Sequence, residues 1–347
     1  MDPYNAEPPR QALTSDLTPV DAFYVRNHGP VPSVEAGSWR LTVDGLVDRS
    51  LSLSIGDLRR QFRSREVVST LQCAGNRRAG LIEVREIPGE DPWGSGATST
   101  ATWSGVGLGD VLEAAGIQPA ATDVAFEAPD VSQLADPPQH YGGSVGRSKA
   151  EAPEVLLAWE MNGEPLPSVH GGPLRLVVPG YIGARSVKWL QRITVQDHPS
   201  TNYFQARSYR VFPADFDPAV AESGEGISLG AIAVNADIAV PNDGAAVPAG
   251  PTLVRGYALA GDDRCIARVE VSTDGGRSWT QAVLEHELSP WAWRHWHATV
   301  EVPVGPTEVV ARAWDSAACV QPREPAEVWN PKGYVNNSWA RVSVNAS

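Results

Sequence analysis

Apolar residues between positions 36 and about 200 fall into short runs, not long stripes. LTVDGLV (41–47), VVSTLQC (67–73), LRLVVPGYIG (174–183) and KWLQRITVQ (188–196) are rich in β-branched and aliphatic side chains, as strands are. Between them, GLGDVLEAAGI carries Leu108, Val111, Leu112 and Ala115 at helical spacing, with Gly116 placed to end the helix. Strand-like and helix-like runs mix without a steady βαβ beat, which predicts α+β and not a doubly wound sheet. After about 227 the pattern changes. ARVEVSTDGGRSWTQAVL reads as an alternating strand, a turn at Asp274–Gly276 and a returning strand, and EVVARAWD adds another. Strands at this spacing over roughly 110–120 residues predict an immunoglobulin-like sandwich. Residues 1–35 read as an extended lead-in and 198–226 as an irregular, aromatic-rich connector.

Composition narrows the function classes. The 347 residues include 29 prolines and 32 glycines, so turns and strands outweigh long helices. The formal charge of −13 argues against nucleic acid as a partner, because that binding needs a basic face. A small anion is still admissible, since a buried arginine cluster sets its own local field. The start, MDPYNAEPPRQALTSDL, has no basic n-region and no apolar h-region, and no run reaches membrane-spanning length. The expectation is a cytoplasmic protein without a membrane partner, or a periplasmic one if a leader was trimmed. Three cysteines are too few for a disulfide framework, although Cys265 and Cys319 could bridge.

The chemistry concentrates at STLQCAGNRR (69–78). A thiolate is favoured by nearby cations and binds transition metals, Gly75 admits close approach of a bulky ligand, and Arg77 and Arg78 suit oxyanions. The bland alternative is a buried cysteine with arginines facing water. A third reading has His28 or His170 activating Cys73 as a nucleophile. A fourth is a non-catalytic adhesion or scaffold protein. Elsewhere, His295 and His297 share a strand face, but no Cys or carboxylate nearby in sequence completes a metal site. GSGATST and GGSVG lack the lysine of a phosphate loop. The tryptophans at 279, 291, 293 and 296 read better as core or interface than as a sugar platform.

LQCAGNRR resembles the signature of the sulfite oxidase family of molybdenum enzymes. YVRNHGPVP (24–32), PWGSGATSTATWSG (92–105) and EVLLAWEMNGEPLPSVHGGPLRLVVPGYIGARSVKWL (154–190) resemble the same family, in order. DGGRSW, WAWRHW and WNPKGYVNNSWARV (329–342) resemble its dimerisation domain. The resemblance implies a mixed α/β molybdopterin domain over 1–225 and an immunoglobulin-like dimerisation domain over 226–347. It implies Cys73 as the protein ligand of molybdenum, held otherwise by a pterin dithiolene. Tyr24, Val25, Arg26, Asn27, His28, Asp130, His170, Arg175, Ser186, Val187 and Lys188 match the positions that grip the pterin and its phosphate. Arg26, Arg78, Trp93 and Tyr209 match those lining the substrate pocket. The implied reaction is oxidation of sulfite to sulfate by a homodimer, the alternative being reduction of nitrate or an S- or N-oxide. No segment resembles a haem domain, so electrons would leave to dioxygen or a separate cytochrome. One position departs from the pattern: WNPKG carries Lys332 where sulfite-oxidising members have arginine, which keeps the charge but loses the planar fork.

Overall fold

The computed structural model describes residues 3–217 and 224–347, so the connector expected over 198–226 lies partly outside the described residues. The chain divides into two compact units, each discontinuous in sequence. Unit one comprises Met1–Ala6, Tyr24–Val67 and Ala101–Gly230; unit two comprises Glu7–Phe23, Val68–Thr100 and Ala231–Ser347. The architecture is the expected α+β class: four short α-helices and many strands among the described residues.

Unit one is built on two larger sheets. Strands β1 (Leu41–Gly45) and β2 (Leu51–Leu53) begin the first, and β3 (Ser64–Gln72) and β4 (Thr98–Gly107) run through both units. Then follow β5 (Asp123–Ser132), β6 (Gln139–Gly146), β7 (Leu156–Met161), β8 (Glu164–Pro165), β9 (Arg175–Val177) and β10 (Arg192–Gln196). One sheet has the order β2-β1-β10-β5-β6, with β1 and β10 parallel; the other runs β3-β4-β7-β8, with β9 also on β7. Helix α1 (Ile55–Gln61) starts with a capping box between Ser54 and Asp57. The predicted helix is α3 (Leu108–Ala115), after α2 (Arg78–Ile82); α4 (Arg147–Ala150) follows. Leu108, Val111, Leu112 and Ala115 are all fully buried, and Gly116 closes α3 with φ +74°, a left-handed conformation that glycine adopts without strain.

The run LRLVVPGYIG is strand only over Arg175–Val177, because Pro179 has no N–H to donate and Gly180 turns with φ +77°. The lead-in is not wholly extended: it forms short 3-10 turns at Arg10–Thr14 and Val20–Ala22.

Unit two is a two-sheet sandwich. After the small antiparallel pair β11 (Arg210–Val211) and β12 (Ile227–Ser228), which still belongs to unit one, come β13 (Asn235–Val240), β14 (Ala245–Val247), β15 (Gly250–Leu259), β16 (Ile266–Ser272), β17 (Thr280–Gln281), β18 (Val283–Leu284), β19 (Arg294–Val302), β20 (Gly305–Asp315) and β21 (Ala340–Ala346). The sheets are β13-β15-β19-β18 and β14-β21-β20-β16-β17. Ile238, Val254, Val269, Val271, Trp296, Val309 and Val342 belong to its core, from alternate positions along the strands. The returning arm of the predicted hairpin switches sheets: β17 pairs β16, whereas β18 pairs β19, with buried Ala282 at the crossing. Cys265 and Cys319 carry no disulfide. Among the described residues no helix is long and apolar enough to cross a membrane.

The first turns of the chain belong to this sandwich unit. Arg10 pairs with Asp237 at 3.7 Å, Leu13 packs with Ala239, Tyr257 and Trp293, and His295 reaches the Leu13 carbonyl at 3.1 Å. His295 also contacts Asp16 at 3.3 Å, while His297 faces Glu285 at 3.2 Å. The glycine loop after Trp93 holds a carboxylate: the Gly94 and Gly96 amides donate to Glu7 at 2.5 and 2.9 Å.

Candidate active site

In unit one, the segment Tyr24–His28 is fixed by short backbone pairings. Val25 and Ala6 exchange both amide bonds at 2.9 Å. The buried Asn27 donates from its main chain to the Asn5 side chain at 2.7 Å, donates from its side-chain amide to the Tyr4 carbonyl at 2.8 Å, and accepts from the Lys188 ammonium. His28 stacks on Tyr141 with ring centroids 4.6 Å apart, and its Nε2 lies 2.7 Å from the Tyr209 hydroxyl. A π-helical turn over Phe204–Ser208 delivers Tyr209 to that position. Burial, reinforced by the charges of Arg26 and Lys188, holds His28 well below its ordinary pKa, so the ring is neutral near pH 7.

The second part of this cluster comes from two loops. Arg175 donates to the carbonyls of His170 at 2.8 Å and Ser186 at 3.1 Å, bracing both loops, and its guanidinium stands 4.8 Å over Trp103. Ser186 fixes the end of β9 by accepting from the Val178 amide at 3.0 Å, and the Val187 carbonyl accepts from Leu176. Lys188 lies over the Trp189 ring; at Gly171, φ +108°, any Cβ would fall 2.8 Å from the Lys188 Cβ, so that loop needs glycine. Burial lowers Lys188 strongly, with Arg175 adding, and lowers Arg175 to about 10. Asp130 is the one acid among the groups acting on Lys188. Burial raises it to about 6 against the pull of that lysine, and its Oδ1 is buried with no hydrogen-bond partner among the described residues. Three cations and a carboxylate with one unpartnered oxygen fit a polar, anionic ligand with an edge that can donate to Asp130.

Unit two carries the thiol. Cys73 follows β3, is 7% exposed, and accepts a hydrogen bond at Sγ from the Gly75 amide at 3.4 Å. Its own amide donates to Ala97 at 2.8 Å. Gly75 is required for a different neighbour from the bulky ligand expected: a Cβ there would come within 2.4 Å of the Arg78 guanidinium. Arg77, left-handed at φ +64°, is a staple, donating to the carbonyls of Ser338 at 2.8 Å and Trp339 at 3.0 Å. Val335 and Asn336 return hydrogen bonds to Ala74 and Arg77, so the last loop of the chain clasps the cysteine turn.

Arg78 is 3% exposed. Its Nε faces the carbonyls of Lys332 and Gly333, both at 3.2 Å, and one terminal nitrogen donates to the Asp91 carbonyl at 2.8 Å. The other pairs with Glu90 at 3.3 Å, and Glu90 also receives the Lys332 ammonium at 3.3 Å. Trp93 is buried, and its indole N–H has no hydrogen-bond partner among the described residues. A soft sulfur in a backbone cradle and a nearby indole donor without a partner are compatible with a metal and its oxygen-rich ligands. Glu90 is absent from the expected site residues. In sequence it is one more acidic residue in a Pro- and Gly-bearing loop, IPGED, and only the fold brings it to Arg78 and Lys332.

Two family models cover the chain: an oxidoreductase molybdopterin binding domain matches residues 28–204, and a Mo-co oxidoreductase dimerisation domain matches 228–347. Sulfite oxidase of Gallus gallus is 44% identical, the match covering 98% of this chain and 75% of that protein. The mitochondrial sulfite oxidase of Homo sapiens is 43% identical over 99% of this chain, which spans 65% of its length, just under two thirds. A nitrate reductase of Hordeum vulgare is 39% identical over 99% of this chain and 41% of that protein. Among solved structures, the sulfane dehydrogenase SoxCD from Paracoccus pantotrophus superimposes with a TM-score of 0.82 at 28% identity, covering 97% of this chain and 83% of that one.

Proposed function

This chain belongs to the sulfite oxidase family of molybdopterin-binding oxidoreductases, and from that premise we propose that it oxidises sulfite to sulfate. In balance, sulfite and water give sulfate, two protons and two electrons, and the electrons leave to an external acceptor, dioxygen or a cytochrome. The observation that carries the reading is the Cys73 turn, where a cradled sulfur lies five residues from a buried arginine that shares a carboxylate with Lys332.

The roles divide by chemistry. Cys73 is the protein ligand of molybdenum. Molybdenum with its pterin dithiolene supplies, when bound, the two-electron oxidant. Asn27, His28, Asp130 and His170 read the polar edges of the pterin, with Tyr24 and Val25 fixing the segment that carries them. Lys188 answers the phosphate; Arg175, Ser186 and Val187 hold the loops that present it. Within unit two, Arg78 and Lys332 offer an anion two cations and Trp93 its indole N–H; within unit one, Arg26 offers a cation and the Tyr209 hydroxyl, anchored by neutral His28, an O–H donor. The C-terminal sandwich pairs two copies of the chain.

Steady-state assays separate the readings. Molybdenum-loaded protein should reduce ferricyanide with sulfite, and should not turn over nitrate with a reduced dye. A fully loaded sample with no sulfite-dependent reduction overturns the assignment. Sedimentation equilibrium reporting only monomer would overturn the pairing.

A further inference from the structure

The geometry points to Glu90 as the residue that sets anion affinity in this protein, a role outside the family motifs quoted above. The inference rests on the proposed reading of Arg78 and Lys332 as anion-holding cations. Each Glu90 oxygen takes one of them: Oε2 takes Arg78, Oε1 takes Lys332, both at 3.3 Å. The loop bearing Glu90 is strapped in place, since the adjacent Asp91 carbonyl accepts from Arg78 at 2.8 Å. Gly333, at φ +60°, sets the Lys332 backbone against Arg78; a Cβ there would lie 2.6 Å from the Arg78 Cγ. Arg78 also stands 5.4 Å over the Tyr334 ring. The three side chains therefore act as one unit of net charge +1, not as two free cations.

An anion approaching these cations competes with a carboxylate already present. Glu90 is partly exposed, with 18% of its side chain accessible, so water can solvate its carboxylate as an arriving anion takes its place beside the buried Arg78. The departure at position 332 has a physical counterpart here. Arginine would match a carboxylate with two parallel bonds, whereas the lysine ammonium is a point charge meeting Glu90 through one contact. A single-contact partner gives up the carboxylate more readily when an anion arrives. Glu90 thus holds the two cations in register and keeps product affinity low.

The test is Glu90→Gln in the molybdenum-loaded enzyme, which removes the charge and keeps an amide oxygen as acceptor. Sulfate binding is measured by titration calorimetry, and KM and kcat for sulfite by steady-state assay. Sulfate Kd and sulfite KM should each fall about tenfold, the size expected for removing a unit charge a few ångströms from an anion in partly solvated surroundings. The value of kcat should stay within about twofold, because the reacting atoms are untouched. Glu90→Asp, which keeps the charge, should bind sulfate within about threefold of the parent. The exposed Glu86, changed to Gln, makes the same change in net charge and should alter neither constant. Unchanged or weaker sulfate binding in correctly folded Glu90→Gln overturns the inference, as does equal tightening in Glu86→Gln. A parent enzyme that ignores sulfite overturns the proposed function instead, while the sulfate titrations still read Glu90.

Discussion

The two units handle positive charge in opposite ways. In unit one, Arg26 and Arg175 both act on Lys188, Asp130 is the one acid acting on it among the described residues, and burial itself weakens that acid's ionisation. In unit two, Arg78 and Lys332 each have a Glu90 oxygen, and Arg78 has carbonyls besides. Excess cationic charge suits a ligand that arrives once and stays, such as a cofactor phosphate, because the ligand itself supplies the missing anion. Compensated charge suits a ligand that must leave at every turnover. On the proposed assignment, the same residue types serve retention in one unit and exchange in the other.

The contrast is broken most severely at the sulfur. Cys73→Ser should lower sulfite turnover by about 10³-fold or more while the Tm moves little, the pattern of a lost metal ligand in an intact fold. Activity and molybdenum content, measured together, check it. Next, Lys188→Met should cut pterin content about 10–100-fold by removing a cation from the phosphate side, as fluorescence of the released pterin would show. Retention of full pterin content would erase the distinction between the units. Gly75→Ala drives a methyl into the Arg78 guanidinium, and should cost about 1–3 kcal/mol and raise sulfite KM more than it lowers kcat.

A pH measurement sharpens the comparison. Asp130 has a folded pKa of about 6, above its ordinary 3.8, so its ionisation opposes folding once the pH passes the ordinary value, and fully above the folded one. Asp130→Asn should therefore stabilise the cofactor-free protein by about 1–3 kcal/mol at pH 8, at roughly 1.4 kcal/mol per pKa unit, with the gain vanishing near pH 4. Thermal melts across that range would show it, and pterin retention should fall in the same variant. The smallest effect is expected from Lys332→Arg in the Glu90→Gln background, where no carboxylate competes for the planar fork: it should keep activity and tighten sulfite binding about two- to threefold. Loss of turnover with an intact fold would mean that position 332 does more than hold an anion by its charge.

Much of the fold was legible because it rests on local pattern. Helix α3 follows from four apolar residues at helical spacing and a glycine stop, and the sandwich strands follow from alternation between turn residues. Motifs likewise identified the family. Non-local relations were not legible. Gly75 reads as room for a ligand until the Arg78 guanidinium is found beside it, and Arg77 has no role until the carbonyls of Ser338 and Trp339 are seen to receive it. Glu90 matches no motif and lies 242 residues from Lys332, so no sequence window contains the pair.

The membership of Glu7–Phe23 in the sandwich unit has a consequence for synthesis on the ribosome. Trp293 and His295, on the last third of the chain, close onto Asp16 and Leu13, which emerge near its beginning, and the His295–Leu13 contact spans 282 residues. At about 5–20 residues per second, the amino-terminal segment waits some tens of seconds for its partners. During that interval Leu13 and its neighbours are without their final packing. Nascent-chain proteolysis should therefore cut within residues 7–23 until the strand carrying His295 has left the exit tunnel, and then stop abruptly.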